Sequence, residues 1–511
     1  MRLHIRFGVA TTVAILGVTL SGCSNVLDVK PETFSGTTTY YQTQDQVDRA
    51  IFGAYSYLQT IYGSGANGPM WLLGEMRADN TTYEYNGSNR GLVLNETVDD
   101  FVTTPDNTGV SAMWNPSYAA ILQSNTILDR IEPVNYTTPA AKSRAVAEAK
   151  FLRALHYFNL VRLFGDVPLL LHETQSYDAA FTGTRVKTDS IYAVIITDLK
   201  EAIPALPARA ALPANQGGRA TQGAASMLLA DVYMTQKNWA AAAPLLQSVL
   251  GMGYTLNPSY DRVFDPAFKN GPESILEVQY AEGVVNEASA FTQRFIPLTS
   301  ARDLTFGTTD QGNAGGWNIP TRDILRTYEP GDVRKSVSVG FYVNAANRNE
   351  NDVAIGDTIP YVKKTYHRYS TAGRTNDDFQ IYRFGETLLD YAETLNELGR
   401  TAEAYPFIDQ VRARAGLPAL TPGLSQAAFR DAVFKEERVE LAFEDKRWFQ
   451  LLRTGRAIPV MTAHIADLRT YAAANGRRGS LATAVTQNML LFPLPVREVT
   501  TNVGLQQNPG Y

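Results

Sequence analysis

The chain has a single cysteine, Cys23, among 511 residues, so no disulfide can form within it and its fold must rest on a large buried core. Histidine is nearly as scarce. His4, His156, His172, His367 and His464 include no pair with the spacing of a zinc site. His156 falls inside a helical pattern, where packing or capping is the simpler role. There is no Gly-x-Ser-x-Gly elbow, and Gly312, Gly315 and Gly316 lack the lysine and hydroxyl residue of a phosphate loop. Calcium stays open, although no EF-hand pattern is present. No cofactor is expected. The 46 Lys and Arg do not outnumber the 51 Asp and Glu, so nothing in the charge draws nucleic acid. Beyond the first twenty residues there is no apolar run of about eighteen, hence no expected membrane span.

What is present begins with Arg2 and Arg6, an apolar run from Phe7 to Leu20, and then Ser21-Gly22-Cys23. This is the layout of a bacterial lipoprotein signal. Residues 1–22 are expected to be removed and Cys23 to become the acylated N-terminus. Two arginines and no acid leave with the signal, so the formal charge moves from −5 to −7.

The dominant period in the body is helical and comes in pairs separated by short turns. Helices are expected near 44–62 and 111–131, 140–164 and 189–202, 221–235 and 239–250, and 382–398 and 401–414. Tyr118, Ile121, Leu122, Asn125, Leu128 and Ile131 recur at three and four, as do Ala147, Phe151, Ala154, Leu155, Phe158 and Val161. Gly399 and Gly416 stand where left-handed caps end helices. Alanines at crossings and aromatic residues at helix ends are similar to tetratricopeptide repeats, here scattered rather than tandem. The expected fold is mainly α: four tetratricopeptide-like helix pairs carrying long irregular loop insertions near 63–110 and 254–381.

The insertions differ in composition. Residues 79–110 carry Asn80, Asn86, Asn89, Asn95 and Asn107 with Tyr83, Tyr85 and many threonines, which reads as ordered loop rather than core. Phe291, Phe295, Phe306 and Trp317 lie in a similar setting. Flat rings for a sugar face, with amides, carboxylates and guanidiniums for its hydroxyls, single out Asp79, Asn80, Tyr83, Tyr85, Asn86, Phe291, Arg294 and Trp317, with Arg90 and Arg302 nearby. Trp317 fits stacking on a ligand or packing equally well. Trp114, Trp239 and Trp448 read as core, and Trp71 fits either. Glu436, Glu440 and Glu444 stand four apart on one helical face. A structural ion network is favoured over a glycosidase carboxylate pair, which needs an open cleft.

Several stretches together resemble the RagB/SusD family of nutrient-binding outer-membrane lipoproteins. After Cys23 come Leu27-Asp28-Val29-Lys30-Pro31 and Gly53-Ala54-Tyr55; then Glu148-Ala149-Lys150-Phe151-Leu152-Arg153-Ala154 and Leu163-Phe164-Gly165-Asp166-Val167-Pro168-Leu169. Further on stand Tyr391-Ala392-Glu393-Thr394-Leu395-Asn396-Glu397-Leu398-Gly399, Val411-Arg412-Ala413-Arg414-Ala415-Gly416-Leu417 and the run from Glu436 to Trp448. Gln507-Asn508-Pro509-Gly510-Tyr511 closes the chain. The resemblance covers essentially the whole chain and implies one SusD-like domain over 23–511. It implies a non-enzymatic surface protein, anchored to the outer membrane through Cys23, that captures an oligosaccharide or a peptide. The nutrient would pass to a SusC-like, TonB-dependent β-barrel. It also offers Arg383, Arg412, Arg414 and Arg447 as partners for the three glutamates. A surface glycoside hydrolase and a purely structural partner are the alternatives.

Overall fold

The computed structural model describes residues 40–63, 68–85, 93–174, 176, 182–283, 287–298, 304–306, 315–343, 358–369, 371, 374–475 and 481–511. Eight helices form the scaffold: α1 (Gln44–Tyr62), α2 (Thr108–Arg130), α3 (Pro139–Phe164), α4 (Thr188–Ala202), α5 (Gln222–Thr235), α6 (Trp239–Leu250), α7 (Phe384–Glu397) and α8 (Thr401–Arg414). Short polar signals set their ends. Thr43 and Gln46 make a reciprocal capping box on α1, and Asn107 caps α2 through the amides of Gly109 and Val110. Thr138 caps α3 with Pro139 at the first position, and Gly165 ends that helix at φ +73°. Gly399 and Gly416, both at φ +76°, bracket α8 as left-handed caps.

The expected stripe on α3 is buried, but so are Leu152, Tyr157 and Leu160 on its other faces. A helix buried on every face must sit in the middle. It packs against α2 and α4, and the order continues without a gap: α1 on α2, α4 on α5, α5 on α6, α6 on α7, α7 on α8. The pairs scattered along the chain are thus consecutive in space, because α6 meets α7 across the whole second insertion. Further helices follow, among them α9 (Gln426–Glu440), α10 (Arg447–Arg453) and α11 (Ala457–Asn475), with α9 also lying on α7. One hydrophobic cluster runs from Ala54 to Leu494.

Strands, which the helical period did not foretell, fasten the insertions in three of their four pairings among the described residues. All pair antiparallel: β1 (Thr81–Thr82) with β5 (Ile319–Pro320), β2 (Val167–Pro168) with β3 (Arg185–Val186), β4 (Ser274–Val278) with β8 (Phe379–Arg383), and β6 (Val339–Val343) with β7 (Thr358–Val362). The β4–β8 ladder closes the second insertion just before α7.

Residues 79–110 are a correction to the loop reading. Thr81, Asn95, Val98, Asp99, Asp100 and Phe101 are all buried, and Val93–Asp99 is helical. Their polar side chains are bonded inside: Thr82 Oγ1 donates to Asp99 at 2.7 Å and Tyr83 Oη to Asp100 at 2.9 Å. Trp114 and Trp448 are core as expected, whereas Trp239, the first residue of α6, is only half-buried.

Candidate functional site

The first insertion enters through a π-helical turn, Trp71–Met76, a local form often found where function bends a helix. The chain then turns through Asp79 and Asn80 into β1, whose register sets Thr81 against Pro320 and Thr82 against Ile319. That short ladder carries Tyr83 to Trp317. Around it, Glu84 N donates to Gly316 O at 2.7 Å, Leu298 N to Glu84 Oε2 at 2.8 Å, and Gly316 N to Ile296 O at 2.7 Å.

The rings form one continuous set. Trp317 lies 6.2 Å from Tyr83 and 6.1 Å from Trp71; Trp71 meets Phe295 edge-on at 5.7 Å, and Phe295 leads to Phe291 at 5.9 Å. Phe291 continues to Phe379, which stacks on Tyr62 at 5.3 Å. The indole Nε1 groups of Trp71 and Trp317 are buried and make no hydrogen bond among the described residues. Each such donor costs about 1–3 kcal/mol while unmet. Tyr85 is half-buried at the edge of this wall.

The eight residues singled out from sequence therefore separate. Tyr83, Phe291 and Trp317 share the aromatic wall, and Arg294 is tied to it through its carbonyl, which accepts from Trp317 N at 3.4 Å. Burial lowers the Arg294 guanidinium to about 10. The wall is buried throughout: Trp71 is 1% exposed, Phe291 2%, Tyr83 4% and Trp317 7%, and Tyr85 at its edge is the half-buried ring. Asp79 and Asn80 turn the other way, with their polar atoms committed inside the protein. Arg447 grips Asp79 with two hydrogen bonds of 2.7 and 3.0 Å, and Arg438 lies 2.9 Å from its second oxygen. Burial opposes that charge, but Arg447 and Arg438 outweigh it and hold the carboxyl at about 2. Asn80 donates to Glu75 at 3.0 Å and accepts from Arg438 at 2.8 Å. Asn86, with Arg90 and Arg302, lies outside the described residues, as does Cys23. Trp71, which fitted either role by sequence, belongs to the wall.

The glutamate ladder on α9 and the turn after it is sealed. Glu436, Glu440 and Glu444 are buried. Glu440 meets Arg383 at 2.6 Å, Arg334 at 3.0 Å, and Arg414; Glu444 meets Arg383 at 2.7 Å and Lys364 at 2.6 Å; Glu436 meets Arg334 at 2.7 Å and Arg412 at 2.8 Å. Three of the four arginines offered by the resemblance take part. The fourth, Arg447, goes to Asp79 instead, and the second insertion supplies Arg334 and Lys364. Burial opposes the charge on Glu440, yet Arg414, Arg383 and Arg334 hold it well below the usual carboxylate range. Carboxylates so enclosed have no cleft from which to protonate a glycosidic oxygen. A second acidic group, Asp390, Glu393 and Glu437, has donor atoms within 4.8 Å of one another. Arg453 already occupies its neighbourhood, pairing with Glu393 and, at 3.0 Å, with Glu437.

Comparison with known proteins agrees with this architecture. Residues 332–511 match the model described as "SusD family", and residues 25–234 the model "Starch-binding associating with outer membrane". SusD-like protein P2 of Formosa agariphila is 26% identical over 98% of this chain and 99% of its own. Starch-binding protein SusD of Bacteroides thetaiotaomicron is 23% identical over 98% of each chain. The solved structure of a laminarin-binding SusD-like protein superposes with a TM-score of 0.75 at 26% identity, covering 92% of this chain and all of that one. With both ends matched by the family's models and relatives aligned along its whole length, the chain belongs to the RagB/SusD family.

Proposed function

We propose that the protein captures a glycan on the face built from residues 71–85, 291–298 and 315–320 and delivers it to a SusC-like, TonB-dependent β-barrel. Lipid on Cys23 would hold it at the outer membrane, facing the exterior. The observation that carries the reading is the wall of Tyr83, Trp317 and Trp71, with two indole donors unspent and Tyr85 at its edge. Tyr85, half-buried at the edge with the buried cluster behind it, offers the ring face on which the C–H surface of a pyranose would stack. Asp79 and Asn80 act by pinning the loop to Arg438 and Arg447, so that Tyr83 stays opposite Trp317. Starch and laminarin in the names of relatives support an oligosaccharide over a peptide. The sealed glutamates support capture without hydrolysis.

The test is binding of the soluble body, residues 24–511, to an array of glycans and peptides, with starch and laminarin fragments included. A glycan hit should weaken by about 1 kcal/mol or more in Trp317→Ala, provided the variant is still folded at the assay temperature. Unchanged affinity removes Trp317 from the site, and a peptide hit redirects the ligand class. Delivery is tested separately, by co-purification of the native lipoprotein with a large β-barrel. Loss of substrate with release of shorter sugars would point to an enzyme instead.

A further inference from the structure

A second recess lies away from the insertions, between the first two helix pairs, with a volume of about 180 Å³. Its walls carry Gln44 and Asp48 from the first turns of α1, Arg144 from the first turns of α3, and Tyr136, Gln216 and Arg219 from flanking turns. Beneath them lies Glu148, fully buried, which accepts from Arg219 through Nε and Nη2, both at 2.9 Å, and from Arg144 Nε at 2.7 Å. One carboxylate thus fixes two guanidinium planes. Arg144 Nη2 also donates to Gln216 at 2.7 Å, while its Nη1 makes no hydrogen bond among the described residues and a quarter of its side chain is exposed. On the facing wall Asp48 is half-buried, with the Tyr136 hydroxyl beside it and Gln44 Nε2 at 3.4 Å.

The charges decide what fits. Arg144 and Arg219 are balanced by Glu148 and Asp48, so the recess has no positive excess to hold a phosphate or sulfate. An apolar ligand would strand the guanidinium, the carboxylate and the amides. A neutral ligand whose hydroxyls both donate and accept satisfies them all, donating to Asp48 and accepting from Arg144. The volume is below the roughly 300–1,000 Å³ of sites for larger ligands, which limits the occupant to about one ring. We infer that this recess is a second carbohydrate site, for a single neutral sugar ring. It is built on the scaffold helices and the turns that join them, and pre-organised by Glu148. It is independent of the insertion face.

Ligand-detected NMR saturation transfer on residues 24–511 tests it, with methyl α-glucoside, methyl α-mannoside and methyl β-galactoside as ring probes. Glycerol serves as the acyclic polyol, and maltohexaose and laminarihexaose as chains that present an end ring. At least one methyl glycoside is expected to bind. Ala141→Trp, which plugs the recess from its alanine wall, should weaken that binding about tenfold or more, as should Asp48→Ala, which removes a charged acceptor. Should Ala141→Trp melt early, Asp48→Ala carries the result. Trp317→Ala separates the two sites: a glycoside signal lost there and kept in Ala141→Trp belongs to the insertion face and overturns the second site. No binding of any methyl glycoside, or glycerol binding as tightly as the glycosides, overturns it as well. A hexaose that competes with the methyl glycoside makes the end of a chain the source of the ring; competition by the free glycoside alone makes it a monosaccharide. Failure of every oligosaccharide to bind at Trp317 would sink the capture reading and leave this result standing.

Discussion

Replacing Glu440 by glutamine keeps the shape of the side chain and removes one charge from the centre of the molecule. The carboxylate is fully buried and faces Arg334, Arg383 and Arg414. With Asp332, Glu273, Glu436 and Glu444 it balances those three arginines, Arg412 and Lys364, charge for charge. The amide would leave one buried positive charge uncompensated and turn an N–H toward guanidiniums. Removing one partner from a buried pair costs about 3–5 kcal/mol. For a chain of this length the unfolding entropy is about 1 kcal/mol/K, so the melting temperature should fall by about 3–5 °C in a cooperative transition. The effect has a pH signature. The folded carboxyl is held well below its unfolded value of about 4.3, so its stabilisation is present above that pH and is lost as pH falls through the folded value. Calorimetry should therefore show the full gap between wild type and Glu440→Gln at pH 7 and a narrowing gap below about pH 4. Glycan affinity at 25 °C should change less than twofold, about 0.4 kcal/mol. Equal melting at pH 7, or a large loss of affinity in a fully folded variant, would refute the reasoning.

Burial lowers His156 to about 3, and neither ring nitrogen has a partner among the described residues. Each pH unit below about 6.5 then costs about 1.4 kcal/mol, so wild type should lose about 2 kcal/mol between pH 6.5 and 5 that His156→Met does not, as read from denaturant midpoints. Asn508 donates to Phe164 O at 3.0 Å and Phe492 O at 2.7 Å, and accepts from Arg185. Asn508→Ala should cost about 2–3 kcal/mol by stranding these groups, and a thermal melt within 1 °C of wild type would contradict it. Cys23→Ser should move the chain from the detergent-soluble membrane fraction to the soluble one, as followed by fractionation and by incorporation of labelled fatty acid.

The scaffold was legible because its signals are local. Asn107, Thr138-Pro139, Gly399 and Gly416 act within a few residues of where they stand, and the apolar period of α2 and α3 needs no partner to be visible. Other features had no such signal. β1 and β5 are two residues each and meet across more than two hundred positions, so nothing near Tyr83 announces Trp317. Residues 79–110 read as loop because polarity was taken for exposure. In fact Asp99, Asp100 and Thr81 are buried and bonded from within, to Thr82, Tyr83 and Asn318. Asp79 and Asn80 looked like ligand contacts for the same reason, and Arg447 left the glutamate network to hold one of them.

The glutamate ladder shows where legibility stops and why the stop matters. Its spacing is local, but its neutrality depends on Asp332, Arg334 and Lys364, which come from an insertion with no helical period. The second insertion is therefore bound to the scaffold twice, by the β4–β8 ladder and by buried charge. Trp317 lies between those two attachments, and Tyr83 follows closely on the grip of Arg447 on Asp79. The aromatic wall is thus positioned by side chains that touch none of its rings. Its geometry should yield to loss of the Arg447 grip on Asp79 before it yields to any substitution among the exposed residues of the insertions.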